Sequence, residues 1–204
     1  MINLYNKDCL PAMREMRDNE YQLAIIDPPY MDENKALQSN GPHRTKYNIK
    51  TLIKPDAEYF NELFRVSKNQ IIWGGNYFSL PISRGWICWD KKEGGYNFSQ
   101  FELAWTSFDM VAKIYRQSNH GGFVAKGIDK KIHVTQKPVG LYKYLLHNYA
   151  KEGDKILDTH FGSLSIGIAC HDYGFDLDAY EIDKDYFEAA KKRLEIHQAQ
   201  GKLF

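Results

Sequence analysis

The eight residues Leu23-Ala24-Ile25-Ile26-Asp27-Pro28-Pro29-Tyr30 constrain this chain more than any other stretch. Four apolar residues, too few for a helix and rich in isoleucine, read as a buried strand. The proline pair ends it, because neither ring nitrogen can donate to a sheet ladder and both rings fix φ. The strand therefore runs into a stiff turn that carries a carboxylate, a backbone carbonyl with no competing N–H, and the face of a tyrosine. Such a set of fixed acceptors suits a flat ring bearing an exocyclic NH2: it accepts the two amino hydrogens, draws the nitrogen lone pair out of the ring, and stacks the ring on Tyr30. A simple strand-capping turn with a solvated acid is the alternative for the tetrapeptide taken alone.

The rest of the chain supplies the context. At 204 residues it is expected to form one α/β domain spanning 1–204. The formal net charge of +1 gives no global signature of nucleic-acid binding, so any such surface must be local. Three scattered cysteines, Cys9, Cys88 and Cys170, have no C-x-x-C spacing, which suggests a reduced, cytoplasmic protein. The seven histidines have no metal-ligand spacing, and no metal is expected. No membrane-length apolar run is present.

In order, Ile2–Tyr5 alternates like a strand, and Asp8 is placed to cap a helix running to about Met16. Periodicity vanishes from 31 to 54, where basic and amide side chains dominate. Lys35, Arg44, Lys46 and Lys50 of this loop, with Lys91 farther on, are the candidate nucleic-acid contacts. A helix beginning near Pro55 leads to a strand at Ile71-Ile72-Trp73. Two further strands, 85–91 and 101–106, read as an antiparallel hairpin at a sheet edge, with Trp86, Trp89 and Trp105 as packing residues. The stretch 109–132 is again irregular and basic, a second surface for a substrate.

The C-terminal part has a nucleoside-cofactor pattern. A strand ends in Asp158, the turn Thr159-His160-Phe161-Gly162-Ser163 opens a helix, and the next strand ends in Glu181, 19 residues beyond Gly162. In units of this kind a glycine turn brings backbone N–H groups to a ligand and the acid after the second strand takes ribose hydroxyls.

Together these motifs resemble the amino-group DNA methyltransferases that use S-adenosylmethionine (SAM), in the circularly permuted order that puts D-P-P-Y before the SAM-binding D-x-F-x-G-S-G. Asn6-Lys7-Asp8-Cys9-Leu10 is similar to the family's G-D-C-L segment, and His133-Val134-Thr135-Gln136-Lys137-Pro138 to its H-P-T-Q-K-P. The resemblance implies a Rossmann-like α/β fold with a mixed seven-stranded sheet, SAM as cofactor and DNA as partner. It implies that Asp27, Pro28, Pro29 and Tyr30 are catalytic, and that Asp8, Cys9, Lys137, Asp158, His160, Phe161, Gly162, Ser163, Glu181 and Ile182 surround SAM. A flipped-out adenine, methylated at N6, is the expected substrate, because D-P-P-Y goes mostly with adenine in the family. Cytosine N4, or a catalytically weak DNA-binding subunit of the same fold, are the alternatives. The small size resembles stand-alone or phage-borne modification enzymes. With loops in place of a separate recognition domain, a homodimer is one expected arrangement.

One departure from the family pattern stands out. Leu164 occupies the position of the last glycine of the turn, where a side chain brings strain at positive φ and bulk that would narrow a SAM pocket.

Overall fold

The computed structural model describes residues 1–30, 54–92, 99–118, 132, 133 and 136–200. Most of the two basic stretches, and with them Lys35, Arg44, Lys46 and Lys50, lies outside the described residues.

The strands are β1 (Ile2–Tyr5), β2 (Tyr21–Ile26), β3 (Ser67–Trp73), β4 (Trp86–Asp90), β5 (Phe101–Thr106), β6 (Lys113–Arg116), β7 (Lys155–Asp158) and β8 (Asp176–Tyr180). Between them run α1 (Cys9–Glu15), α2 (Ala57–Val66), α3 (Val139–Tyr149), α4 (Ser165–Tyr173) and α5 (Lys184–Ala199). All eight strands join one mixed sheet in the order β1-β8-β7-β2-β3-β5-β4-β6. The strands β2 and β7, far apart in the chain, are parallel neighbours, as the permuted motif order requires.

The sheet departs from expectation at one edge. Lys113–Arg116, read from sequence as irregular, is an eighth strand that pairs parallel with β4. The antiparallel β4–β5 hairpin is therefore one strand in from the edge. Three of the four β6 residues are exposed, so the strand carries almost none of the apolar pattern by which strands are recognised.

Strand alternation divides the core between the two faces of the sheet. Leu23, Ile25, Ile71, Trp73, Ile156 and Leu177 face the side covered by α3, α4 and α5, while Ala24, Ile26, Ile72 and Leu157 face α1 and α2. Trp89 and Trp105 are buried and Trp86 is partly so, in keeping with packing roles. Asp8, Asp56 and Asp183 cap α1, α2 and α5 by accepting from backbone N–H groups of the first turns.

Leu164 immediately precedes α4 and takes the left-handed conformation, φ 58°, that a glycine would adopt without strain. Its side chain is fully buried in the core and reaches Gly167, where an added Cβ would lie 2.6 Å from Leu164 Cγ. The bulk that seemed set to narrow the cofactor pocket is thus accommodated by a glycine one turn further along the chain. Leu164→Gly relieves roughly 1–2 kcal/mol of backbone strain but gives up a buried leucine worth roughly 2–5 kcal/mol. The expected result is a net destabilisation centred on about 2 kcal/mol, measured as a lower urea midpoint at unchanged m-value.

Candidate active site

Three carboxylates lie at the same edge of the sheet. Glu181 follows β8, Asp158 ends β7 and Asp27 follows β2; these strands are consecutive and parallel, so their C-terminal ends open on one crevice. Burial pushes the pKa of all three acids upward, that of Asp158 to about 8. A site that gathers partly desolvated acids in this way suits a ligand that brings positive charge and hydroxyl donors.

The Asp27 side chain is 15% exposed, and its two oxygens are not equivalent. Oδ2 accepts from Lys137 Nζ, whereas the buried Oδ1 has no partner. Lys137 is itself buried, lies with its ammonium 5.3 Å from the Trp73 ring centroid, and makes a second ion pair to Glu102 Oε2 at 3.0 Å. Glu102 Oε1 in turn pairs with Lys91 Nζ at 2.7 Å. Lys91, expected as a nucleic-acid contact, is therefore turned inward: it is buried next to Trp89 and held by Glu102. Its strand-end position looked like surface in the sequence, but the paired acid draws it into the fold.

Tyr30 stacks face to face on Tyr77, with ring centroids 4.6 Å apart and planes 2° from parallel. The close approach depends on Gly74, at φ 66°, where a Cβ would lie 2.6 Å from the Tyr30 ring. Tyr77 is half exposed, and the sequence reading missed it because only the 3-10 turn Gly75–Tyr77 brings it beside Tyr30.

The turn after β7 is built by backbone bonds. Asp158 Oδ1 accepts from the His160 N–H at 3.0 Å, and Glu181 accepts from the N–H groups of Gly162 and Asp183 at 3.0 and 2.9 Å. Gly162 has φ 50°, the left-handed conformation that favours glycine, and a Cβ there would touch His133 at an ordinary contact distance of 3.5 Å. Burial holds His160 at a pKa of about 4, which keeps its ring neutral. Thr159 links it to α2 by hydrogen bonds to His160 Nδ1 at 3.0 Å and to the Tyr59 hydroxyl at 2.5 Å.

Beside this turn lies a cleft of about 190 Å³ whose walls include Asp8, Cys9, His160, Glu181 and Ile182, together with Lys7, Tyr59 and Thr159. Five of the expected cofactor contacts thus line one cavity. Phe161 instead packs inward against Phe187, and the Ser163 carbonyl accepts from Arg193 at 2.5 Å. These two residues shape the turn from behind. Cys9 is buried with its thiol pushed up to about 12, so it is a packing group and not a nucleophile. Among the described residues no cluster of His, Cys, Asp or Glu could hold a metal ion, and no helix is long and apolar enough to cross a membrane.

The raised acids have a consequence for stability. Between the ordinary carboxylate value and about 8, the folded chain keeps a proton on Asp158 that the unfolded chain has lost, so the favourable contribution present at low pH disappears as pH rises through about 8. The melting temperature of the ligand-free protein should therefore fall as pH is raised from 4 to 8. Asp158→Asn, which has no proton to lose, should flatten that slope in melts recorded across the range.

A crevice at the strand ends of a Rossmann-like sheet, with a glycine turn on one side and an Asp-Pro-Pro-Tyr turn on the other, has the form that suits a nucleoside cofactor beside a planar amino compound. Comparison with known proteins makes the class specific. Residues 86–192 match the N6_N4_Mtase DNA methylase family model. The type II methyltransferase M2.DpnII of Streptococcus pneumoniae is 36% identical over an alignment covering 94% of this chain and 89% of that protein. M.HpaI of Haemophilus parainfluenzae is 25% identical, with 92% and 72% covered. Among solved structures the fold is shared with the M1.HpyAVI–SAM complex (TM-score 0.66, 18% identity, 95% of this chain and 100% of that one). It is shared also with the cytosine-N4-specific PvuII DNA methyltransferase (TM-score 0.63, 13% identity, 97% and 90%). The chain belongs to the SAM-dependent amino-group DNA methyltransferases.

Proposed function

We propose that the chain transfers the SAM methyl group to N6 of an adenine flipped out of duplex DNA, with Asp27, the Pro28 carbonyl and Tyr30 as the catalytic group. The observation that carries this reading is the unpartnered, buried Oδ1 of Asp27, three residues before the stacked Tyr30 ring. A buried acceptor without a donor is costly unless a ligand supplies one, and an exocyclic amino group supplies two.

SAM, when bound, supplies an electrophilic methyl group on sulfonium sulfur. The residues fit it: Asp8, Cys9, His160, Glu181 and Ile182 would hold the adenosine part in the cleft, and Asp158, Gly162 and Lys137 would border its charged methionine end. Asp27 and the Pro28 carbonyl accept the amino hydrogens and concentrate electron density on the nitrogen. The nitrogen so activated would receive that methyl group and release one of its two hydrogens to solvent as a proton. Tyr30 holds the base plane in line, and stacking offsets part of the few kcal/mol spent on unpairing the nucleotide. Lys35, Arg44, Lys46 and Lys50 would contact the phosphate backbone, and a homodimer would double that surface.

Adenine is favoured by the aspartate in D-P-P-Y. Cytosine N4 is the second reading, since a cytosine-N4-specific enzyme shares the fold. Incubation of unmethylated DNA with SAM and the protein, followed by mass spectrometry of the nucleosides, separates them. N6-methyldeoxyadenosine is the expected product; N4-methyldeoxycytidine would transfer the proposal to cytosine, and unmodified DNA would refute both.

A further inference from the structure

Asp27 belongs to a chain of four charges that reaches from the strand-end crevice into the β4–β5 hairpin: Asp27, Lys137, Glu102 and Lys91, each in contact with the next. Two acids and two lysines balance, yet such buried pairs add little net stability over apolar packing. The arrangement is better explained by what it does to Asp27. Lys137 carries three N–H donors on a flexible stem. If Asp27 were its only acid, the ammonium could settle between the two Asp27 oxygens and occupy both. Glu102, fixed on β5 with its two oxygens divided between Lys137 and Lys91, pulls the ammonium to one side.

We propose that Glu102, backed by Lys91, is a positioning residue for the reaction: it holds the Lys137 ammonium on Oδ2 of Asp27 and so keeps Oδ1 open for a hydrogen of the substrate amino group. This rests on the reading of Asp27 as the amino acceptor. The charged and titratable groups around Asp27 are Lys137 from the segment before α3, Glu102 from β5, Lys91 at the end of β4, Tyr30, Tyr142 from α3 and Asp158 from β7. The negative charge of Glu102 raises the Asp27 pKa and the positive charge of Lys91 lowers it. Removing each should therefore move the acid limb of the rate profile in opposite directions.

The test is steady-state methyl transfer to unmethylated DNA as a function of pH for the wild type, Glu102→Gln, Lys91→Gln and Asp27→Asn. Glu102→Gln should lower kcat about tenfold or more with KM for SAM and for DNA within about threefold, and move the acid limb to lower pH. Lys91→Gln, one contact farther away, should lower kcat less and move the limb to higher pH, and it carries the test if Glu102→Gln does not fold. A folded Glu102→Gln enzyme with wild-type kcat and an unmoved limb, or a defect confined to KM for SAM, would overturn the proposal; so would an unmoved limb in Lys91→Gln. Wild-type turnover by Asp27→Asn would instead show that the reading of Asp27 itself has failed.

Discussion

Lys137→Met should be both unstable and inactive, because it strands the Asp27 carboxylate and leaves Glu102 with Lys91 alone. Lys137 is buried between Asp27 and Glu102, with its side chain 2% exposed. Breaking a buried ion pair from one side leaves an uncompensated charge and costs roughly 3–5 kcal/mol. The stranded charge also sets the sign of the pH dependence. Without the ammonium both acids are pushed upward, so the folded state holds protons that the unfolded state releases, and the variant's deficit grows as pH is raised above the ordinary carboxylate range. Thermal melts of the variant and the wild type, compared from pH 4 to pH 8, should diverge steadily. Methyl transfer should be lost even where the variant is folded at low pH, since a protonated Asp27 is a poor acceptor. A pH-independent deficit would mean that Lys137 contributes packing alone.

Asp27→Asn is the complementary change, with the larger effect on rate and the smaller effect on stability. Lys137 keeps its bond to Glu102, so no buried cation is abandoned. The substituted amide has a weaker acceptor, and its NH2 group would oppose the substrate amino group if it turned toward the Oδ1 position. Loss of one preorganised group that stabilises developing charge typically costs about 10²–10³-fold in rate. That loss should appear in kcat with SAM affinity changed by no more than about threefold, as equilibrium binding and single-turnover rates would show together.

The site was legible in the sequence where strands end in acids. Apolar runs stopping at Asp27, Asp158 and Glu181 mark the ends of β2, β7 and β8, and parallel pairing then has to bring those ends together. Position along the chain conceals what is set by packing between strands. Nothing in the sequence links Glu102, in a strand read as half of a hairpin, to Lys91, expected at a nucleic-acid surface; the β4–β5 pairing brings Lys91 to Glu102, which in turn meets Lys137. The strain expected at Leu164 is present, but its resolution lies in Gly167, a pairing visible only once the helix is built. Tyr77 is similarly hidden, because its stacking on Tyr30 is made through the left-handed Gly74. The β6 strand escaped notice because exposed edge residues follow no buried period.

The most direct test of the central claim is transfer of radiolabelled methyl from SAM to unmethylated DNA by the wild type and by Asp27→Asn, with SAM binding measured on both. The account predicts label in an N-methylated nucleoside for the wild type, and bound SAM with little or no transfer for the variant. Equal labelling by the two proteins, or label that stays off the DNA despite bound SAM, would contradict it.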